Sequence, residues 1–167
     1  MSNRILVTYA TRTRSTAEVA KVISEVLTTR GFVVDLKPVK EKPSLDGYRG
    51  VILGSAIRMG GWLPEMTEFI RDNQAKLNEV PTAIFTVHML NTGNDSANHD
   101  AQRAYTRPIR KMLHPVDEAF FAGNLDISQL SLPDRVLTKI MVDDQDLKVG
   151  DLRDWEKIRA WAKEVSV

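Results

Sequence analysis

Cysteine is absent from all 167 residues, which excludes disulfides, thiolate metal centres and cysteine nucleophiles together. Redox chemistry in such a chain needs a bound cofactor. Excess charge of either sign is also missing. Lysine and arginine total 23 against 22 acidic residues, a formal net charge of +1, so there is no bulk electrostatic case for nucleic acid. Long apolar runs are lacking too: Met1-Ser2-Asn3-Arg4 leads into Ile5-Leu6-Val7, too short for a signal peptide or a membrane span. A cytoplasmic location is the expectation, with peripheral contact at the inner face of a membrane left open. No repeat or low-complexity tract points to a solenoid or a long tail. What remains is an ordinary globular composition, 43% hydrophobic and 27% charged, at a length that fits one domain, 1–167, with one core.

The hydrophobic pattern predicts strand alternating with helix. Ile5 to Tyr9 reads as a short buried strand. Ser15 is placed to cap a helix from Thr16 to Arg30, whose Val19, Ala20, Ile23, Val26 and Leu27 share a face, and Gly31 supplies the stop. Phe32 to Val39 and Val51 to Gly54 predict two further strands. One amphipathic helix is expected through Leu63, Met66, Phe69, Ile70 and Leu77, entered by Pro64 in its first turn. Thr82 to Val87 predicts a fourth strand, Ala101 to Leu113 a helix containing or kinked by Pro108, and Ala119 to Gly123 a fifth strand. Asp151 is expected to cap a last helix through Trp155, Ile158, Ala162 and Val165. Such alternation implies right-handed crossovers and a five-stranded parallel sheet between two helical layers, a three-layer α/β/α fold. Ligands of such sheets bind outside the carboxyl ends of the strands, so the loops after the first, third and fourth strands should build the site.

The first of these loops, Thr11-Arg12-Thr13-Arg14-Ser15-Thr16, sets hydroxyls and guanidinium groups in succession before a helix N-terminus. Hydroxyls, exposed N–H groups and the positive end of the helix dipole suit a phosphate. A capped helix with a solvated polar turn is the plainer reading. The second, Ser55-Ala56-Ile57-Arg58-Met59-Gly60-Gly61-Trp62, is small and glycine-containing. Its glycines allow a backbone to approach a ligand closely. The third runs from His88-Met89-Leu90 through Gly93-Asn94 to His99; its composition fits either a ligand wrap or an ordinary surface loop. His88 and His99 have no helical pairing, and no metal site is expected.

Tyr9-Ala10-Thr11-Arg12-Thr13-Arg14-Ser15-Thr16 resembles the FMN phosphate loop of flavodoxins, commonly T-x-T-G-x-T, with Thr11, Thr13 and Thr16 on its hydroxyl positions. Arg14 stands where that family usually has glycine, a residue freer to turn left-handed; an arginine there can instead donate to the phosphate. Gly54 to Pro64 is similar to the isoalloxazine-facing loop of the menaquinone-dependent protoporphyrinogen IX dehydrogenases, and Val149 to Glu156 resembles that branch again. The resemblance implies a flavodoxin-like fold and FMN as cofactor. The implied cofactor contacts are Thr11, Arg12, Thr13, Arg14, Ser15 and Thr16, then Ser55, Ala56, Ile57, Arg58, Met59 and Gly60, and finally His88, Met89, Leu90, Gly93 and Asn94. Met59 or Trp62 could lie against the ring, although packing at a helix start is the preferred role of Trp62.

The function this implies is an FMN-dependent oxidoreductase, with protoporphyrinogen IX or a similar small substrate and a quinone acceptor. Two alternatives stay open: a flavodoxin-type electron carrier serving a redox partner protein, and a flavodoxin fold without catalysis. Carriers of that type are acidic around the flavin, whereas Arg12, Arg14 and Arg58 make these loops basic, which favours the enzyme. No residue is assigned a catalytic acid or base role, and the pattern does not set the oligomeric state. The connection from Asn124 to Gly150 is expected to hold a short helix with Pro133, Val136, Leu137, Ile140 and Met141 on one face and Leu130 joining them. A lid over the sheet edge is preferred to a membrane or quinone contact for this segment.

Overall fold

The computed structural model describes residues 2–126, 128, 130–143 and 150–167. The parallel strands are β1 (Arg4–Ala10), β2 (Val33–Pro38), β3 (Gly50–Arg58), β5 (Thr82–His88) and β6 (Asp117–Ala122). They lie in the order β2-β1-β3-β5-β6, and a short β4 (Gly61–Trp62) folds back antiparallel on β3. This is the expected five-stranded parallel sheet. The chain first winds outward from β1 to β2, then crosses back over β1 to β3 and continues to β5 and β6. The reversal falls between β1 and β3, so the crevice lies at their carboxyl ends.

Alternate residues of each strand feed opposite cores, as the two-residue period of a strand requires. Ile5, Val7, Ile52 and Phe85 meet Val19, Ile23 and Leu27 of α1 (Ser15–Thr29) and Ile158 and Ala162 of α7 (Trp155–Glu164). Leu6, Val51, Leu53 and Ile84 meet Met66, Phe69 and Ile70 of α2 (Pro64–Asp72), Leu77 of α3 (Gln74–Glu79) and Ile109 of α5 (Arg107–Met112). Both sheet faces are thus covered, and the apolar strand runs follow from that double burial.

Several boundaries differ from the sequence reading, each for a local reason. The helix expected through Leu77 breaks at Asn73, which leaves helical geometry (φ −118°, ψ 15°) and turns its side-chain amide onto the Phe69 carbonyl at 2.9 Å. The helix expected from Ala101 to Leu113 is two: α4 (Ser96–Tyr105), capped by Asp95, and α5, which takes Pro108 into its first turn. The last helix is capped by Asp154, which accepts from the Lys157 N–H at 3.0 Å. Asp151 instead sits in the two-stranded ribbon of β7 (Asn124–Leu125) and β8 (Gly150–Asp151), where it is paired with Arg153. Ser15 is not a cap either. Its hydroxyl accepts from the Asn124 N–H at 3.0 Å and ties the start of α1 to β7. The long connection carries the expected helix, α6 (Leu132–Asp143). The Met141 side chain and Val149 lie outside the described residues.

Candidate functional site

The carboxyl ends of β1, β3, β5 and β6 enclose a cleft of about 260 Å³. Its walls take Arg12 and Thr13 from the first loop with Ser15 and Thr16 at the start of α1, Ala56 to Arg58 from the end of β3, which runs four residues further than the sequence reading, with Met59 and Gly60 of the turn after it, and Val87 and His88 from the end of β5 with Met89 and Leu90 after them. Three loops far apart in sequence therefore meet where the strand order reverses. Thr11, Arg14, Ser55, Gly93 and Asn94 do not line it.

At the first loop the backbone turns left-handed at Arg14 (φ 69°, ψ −19°), and α1 starts immediately after. The glycine-type conformation is thus kept without glycine. A left-handed L-residue costs about 1–2 kcal/mol. Arg14→Gly should therefore stabilise the protein by a net of about 0.5–1 kcal/mol, once the larger unfolded-state entropy of glycine is subtracted. Thermal denaturation checks this, and a loss of stability would mean that contacts of the arginine side chain outweigh its strain.

The hydroxyl oxygens of Thr11 and Thr16 are buried and have no hydrogen-bond partner. Thr16 is only 1% exposed and lines the cleft. A buried hydroxyl without a partner is disfavoured unless a ligand completes it. Thr8 Oγ1 and Trp161 Nε1 are also unpartnered and, like Thr11, do not line the cleft, so among the described residues Thr16 is the one that brings a buried, unpartnered hydroxyl to it. Thr16 and the α1 N-terminus form neutral donors suited to phosphate, and on this test they fit the FMN phosphate.

At the second loop, Met59 (φ 53°) and Gly60 (φ 78°) form the two-residue turn between the paired Arg58 and Gly61. Two successive left-handed residues are the geometry such tight hairpins require. The turn lifts Met59 to 87% exposure at the rim of the cleft. Trp62 is packed instead, its ring N–H donating to Thr86 Oγ1 at 2.9 Å. Ser55 is buried within the fold, accepting from the Leu63 N–H and donating to the Ala56 carbonyl.

The arginines of these loops are not free. Arg12 makes two hydrogen bonds to Glu65, one of 3.0 Å between Nη2 and Oε2. Arg58 donates from Nε and Nη2 to Asp134 Oδ1 at 3.3 and 2.9 Å. The hydrogen bond from Arg12 holds the Glu65 carboxyl below its ordinary range, and that from Arg58 does the same for Asp134. Both pairs are formed at neutral pH. Two of the three cations read from the sequence are thus neutralised, so charge alone does not separate a catalyst from a carrier. Among the described residues no ion pair engages Arg14.

At the end of β5, His88 is 3% exposed, tilted against Tyr105 and edge-on to Phe120. Its Nδ1 lies 2.7 Å from the Leu90 carbonyl, which only accepts, so Nδ1 carries the proton. Burial lowers its pKa, leaving the ring neutral with Nε2 unprotonated. Gly93 turns away, bonded to Asn98, and Asn94 borders a different hollow.

The sequence reading missed one wall entirely: Gly123, Asn124 and Leu125 after β6, with Tyr105. Gly123-Asn124 is a turn signal directly after a strand and could have been read as a fourth site loop. A Cβ at Gly123 would stand 2.8 Å from Val87 Cγ1. In the outer wall, Leu130 and Leu137 belong to the lid segment the sequence predicts, while Asp134 and Thr138, which also reach the cleft, were missed. The lid expectation thus meets a helix that borders the cleft yet leaves Leu132, Val136 and Ile140 more than half exposed. Among the described residues there is no group of three or more acidic or histidine side chains able to hold a metal, and no helix long and apolar enough to cross a membrane.

Comparison with known proteins agrees with this geometry. The family described as "Flavodoxin domain" matches residues 6–148. The protoporphyrinogen IX dehydrogenase [quinone] of Escherichia coli K12 is 24% identical over 98% of this chain and 94% of its own length. The protein of the same name from Leishmania major is 25% identical over 87% of this chain and 65% of its own. Among solved structures, oxidised flavodoxin 1 of Bacillus cereus superposes with a TM-score of 0.60 at 17% identity, over 98% of this chain and 99% of that one. The parallel sheet, the cleft at its switch point and the family match lead to one conclusion: the chain belongs to the flavodoxin domain family, whose cofactor is FMN.

Proposed function

We propose that this protein is an FMN-dependent oxidoreductase acting as one domain in the cytoplasm, where it oxidises a protoporphyrinogen-like substrate and delivers the electrons to a quinone. The observation that carries the cofactor reading is the unpartnered Thr16 hydroxyl, buried in the cleft at the start of α1. The substrate and acceptor are supported by the names of the Escherichia coli and Leishmania major relatives.

In this reading Thr11, Thr13 and Thr16 hold the phosphate together with the first N–H groups of α1. Met59, Gly60, Met89 and Leu90 wall the flat ring. His88, whose burial disfavours a proton on Nε2 and whose Nδ1 donates to the Leu90 carbonyl, closes this wall of the cleft as an uncharged ring. The flavin, when bound, supplies the electron-accepting centre, which the side chains of a cysteine-free chain do not provide.

The second reading, an electron carrier serving a partner protein, is compatible with the charge balance of the site. Glu65 and Asp134 cancel the charge of Arg12 and Arg58, so the site is less basic than the loops imply. Two measurements test the proposal. FMN should bind more tightly than riboflavin by about 3 kcal/mol or more, the worth of one or two hydrogen bonds to a charged group, and more tightly than FAD. Equal binding of riboflavin would remove the phosphate assignment. The FMN-loaded protein should then oxidise protoporphyrinogen IX with a menaquinone analogue and no added reductase; failure there, with FMN retained, would favour the carrier.

A further inference from the structure

Beside the cofactor cleft, and sharing Arg12, Thr13, Arg58, Leu130 and Asp134 with it, lies a second hollow of about 440 Å³. Ser131 completes its lining. It is polar where the cleft is apolar, with two guanidinium groups, two hydroxyls and a single carboxylate. That carboxylate, Asp134, is supplied by α6 and is gripped through Oδ1 by Nε and Nη2 of Arg58. Arg12 lies close enough for its charge to act on Asp134 as well, while holding Glu65 with its own hydrogen bonds.

Among the described residues little else secures α6. Leu132, Val136 and Ile140 face solvent. The side-chain bonds of Arg135 are to the carbonyls of Leu130 and Ser128 just before the helix, not to the sheet. Among the described residues, Arg58–Asp134 is the ion pair that ties α6 to the sheet. Arg58 is nearly half exposed in that pair, and exposed pairs contribute little, so an external anion can take the place of Asp134 at small cost. A guanidinium that already meets one carboxylate through two N–H groups is shaped to meet another.

The geometry points to Asp134 as an internal stand-in that holds a carboxylate-recognition subsite shut: Arg58, with Arg12 beside it, receives a carboxylate of the substrate, whose apolar ring body lies at the rim of the adjoining cleft against the exposed Met59. The substrate class is therefore a carboxylic acid borne on an apolar ring system. Its arrival releases α6 from the sheet. This inference rests on the oxidoreductase reading of the same cleft and names the group by which the substrate is recognised.

The test is a fluorescence titration of the FMN-loaded protein with deuteroporphyrin IX, a dicarboxylic acid, and with its dimethyl ester in the same dilute detergent. Asp134→Asn removes the internal competitor but leaves Arg58 in place. It should bind the dicarboxylic acid up to about fivefold more tightly than the parent protein and the ester no differently, fivefold being about 1 kcal/mol, the upper worth of an exposed pair. Arg58→Ala should weaken the acid, and Asp134→Asn should give no gain in the Arg58→Ala background. Unchanged or weaker acid binding in Asp134→Asn overturns the inference. So does an equal gain for acid and ester, which would mean that α6 merely opens. Tighter FMN with unchanged riboflavin in Asp134→Asn would also overturn it, because the hollow would then belong to the cofactor phosphate. Binding is read with an oxidised porphyrin and needs no turnover. The expected pattern in protein that does not retain FMN would therefore leave the subsite standing and reject the cofactor reading alone.

Discussion

Thr16→Val will lower FMN affinity by about 10- to 150-fold and leave the flavin-free protein at least as stable as before. The two halves of this result come from one atom. Thr16 Oγ1 is buried and has no partner in the fold, so its removal breaks no internal hydrogen bond. Valine keeps the shape and replaces a desolvated hydroxyl with a methyl group, a change that is neutral or stabilising when no partner is left behind. A hydrogen bond to a charged phosphate, in contrast, is worth about 1.5–3 kcal/mol. Fluorescence titration with FMN and thermal unfolding without flavin measure the two quantities separately. A purely structural threonine would give the reverse pattern, lower stability with unchanged FMN binding.

Gly54→Ala should destabilise the protein by about 3 kcal/mol, the upper part of the range for overpacked cores. Gly54 pairs in register with Phe85, whose ring lies across it. A Cβ at position 54 would stand 1.9 Å from Phe85 Cζ and within 2.5 Å of both Cε atoms. The ring cannot swing aside easily, because it is fully buried and packs near Phe121 and Trp161. Phe85→Leu makes room, so the double variant should be more stable than the sum of the two single losses. Denaturant unfolding of the four proteins reads this coupling. An unchanged midpoint in Gly54→Ala would show that the strand is free to spread. The position matters for function because β3 continues from Gly54 into the second loop of the cleft.

The fold was largely legible because its signals are local. The runs Ile5–Tyr9, Val51–Gly54 and Thr82–Val87 are apolar on both faces, as only a doubly covered strand can be. The helical faces of Val19 to Leu27 and Met66 to Ile70 read directly as one-sided burial. Helix ends were less legible. Asn73 ends α2, and Asp154 rather than Asp151 caps α7. Several nearby polar residues can fill such a role, and packing selects among them.

The sequence by itself determined the alternation of strand and helix, the parallel sheet that follows from it, and the hydroxyl-rich turn ahead of α1. These depend on periodicity and on residues within one turn or one strand of each other. Only the tertiary structure decided what the charges do. Arg12 meets Glu65 across 53 positions and Arg58 meets Asp134 across 76, and a charged side chain carries no sequence mark of its partner. The same holds for Ser15, a cap by local rules, which the closing of the sheet turned toward the Asn124 N–H. It also holds for Arg14, whose left-handed backbone is imposed by the tight passage from β1 into α1 rather than preferred by the residue.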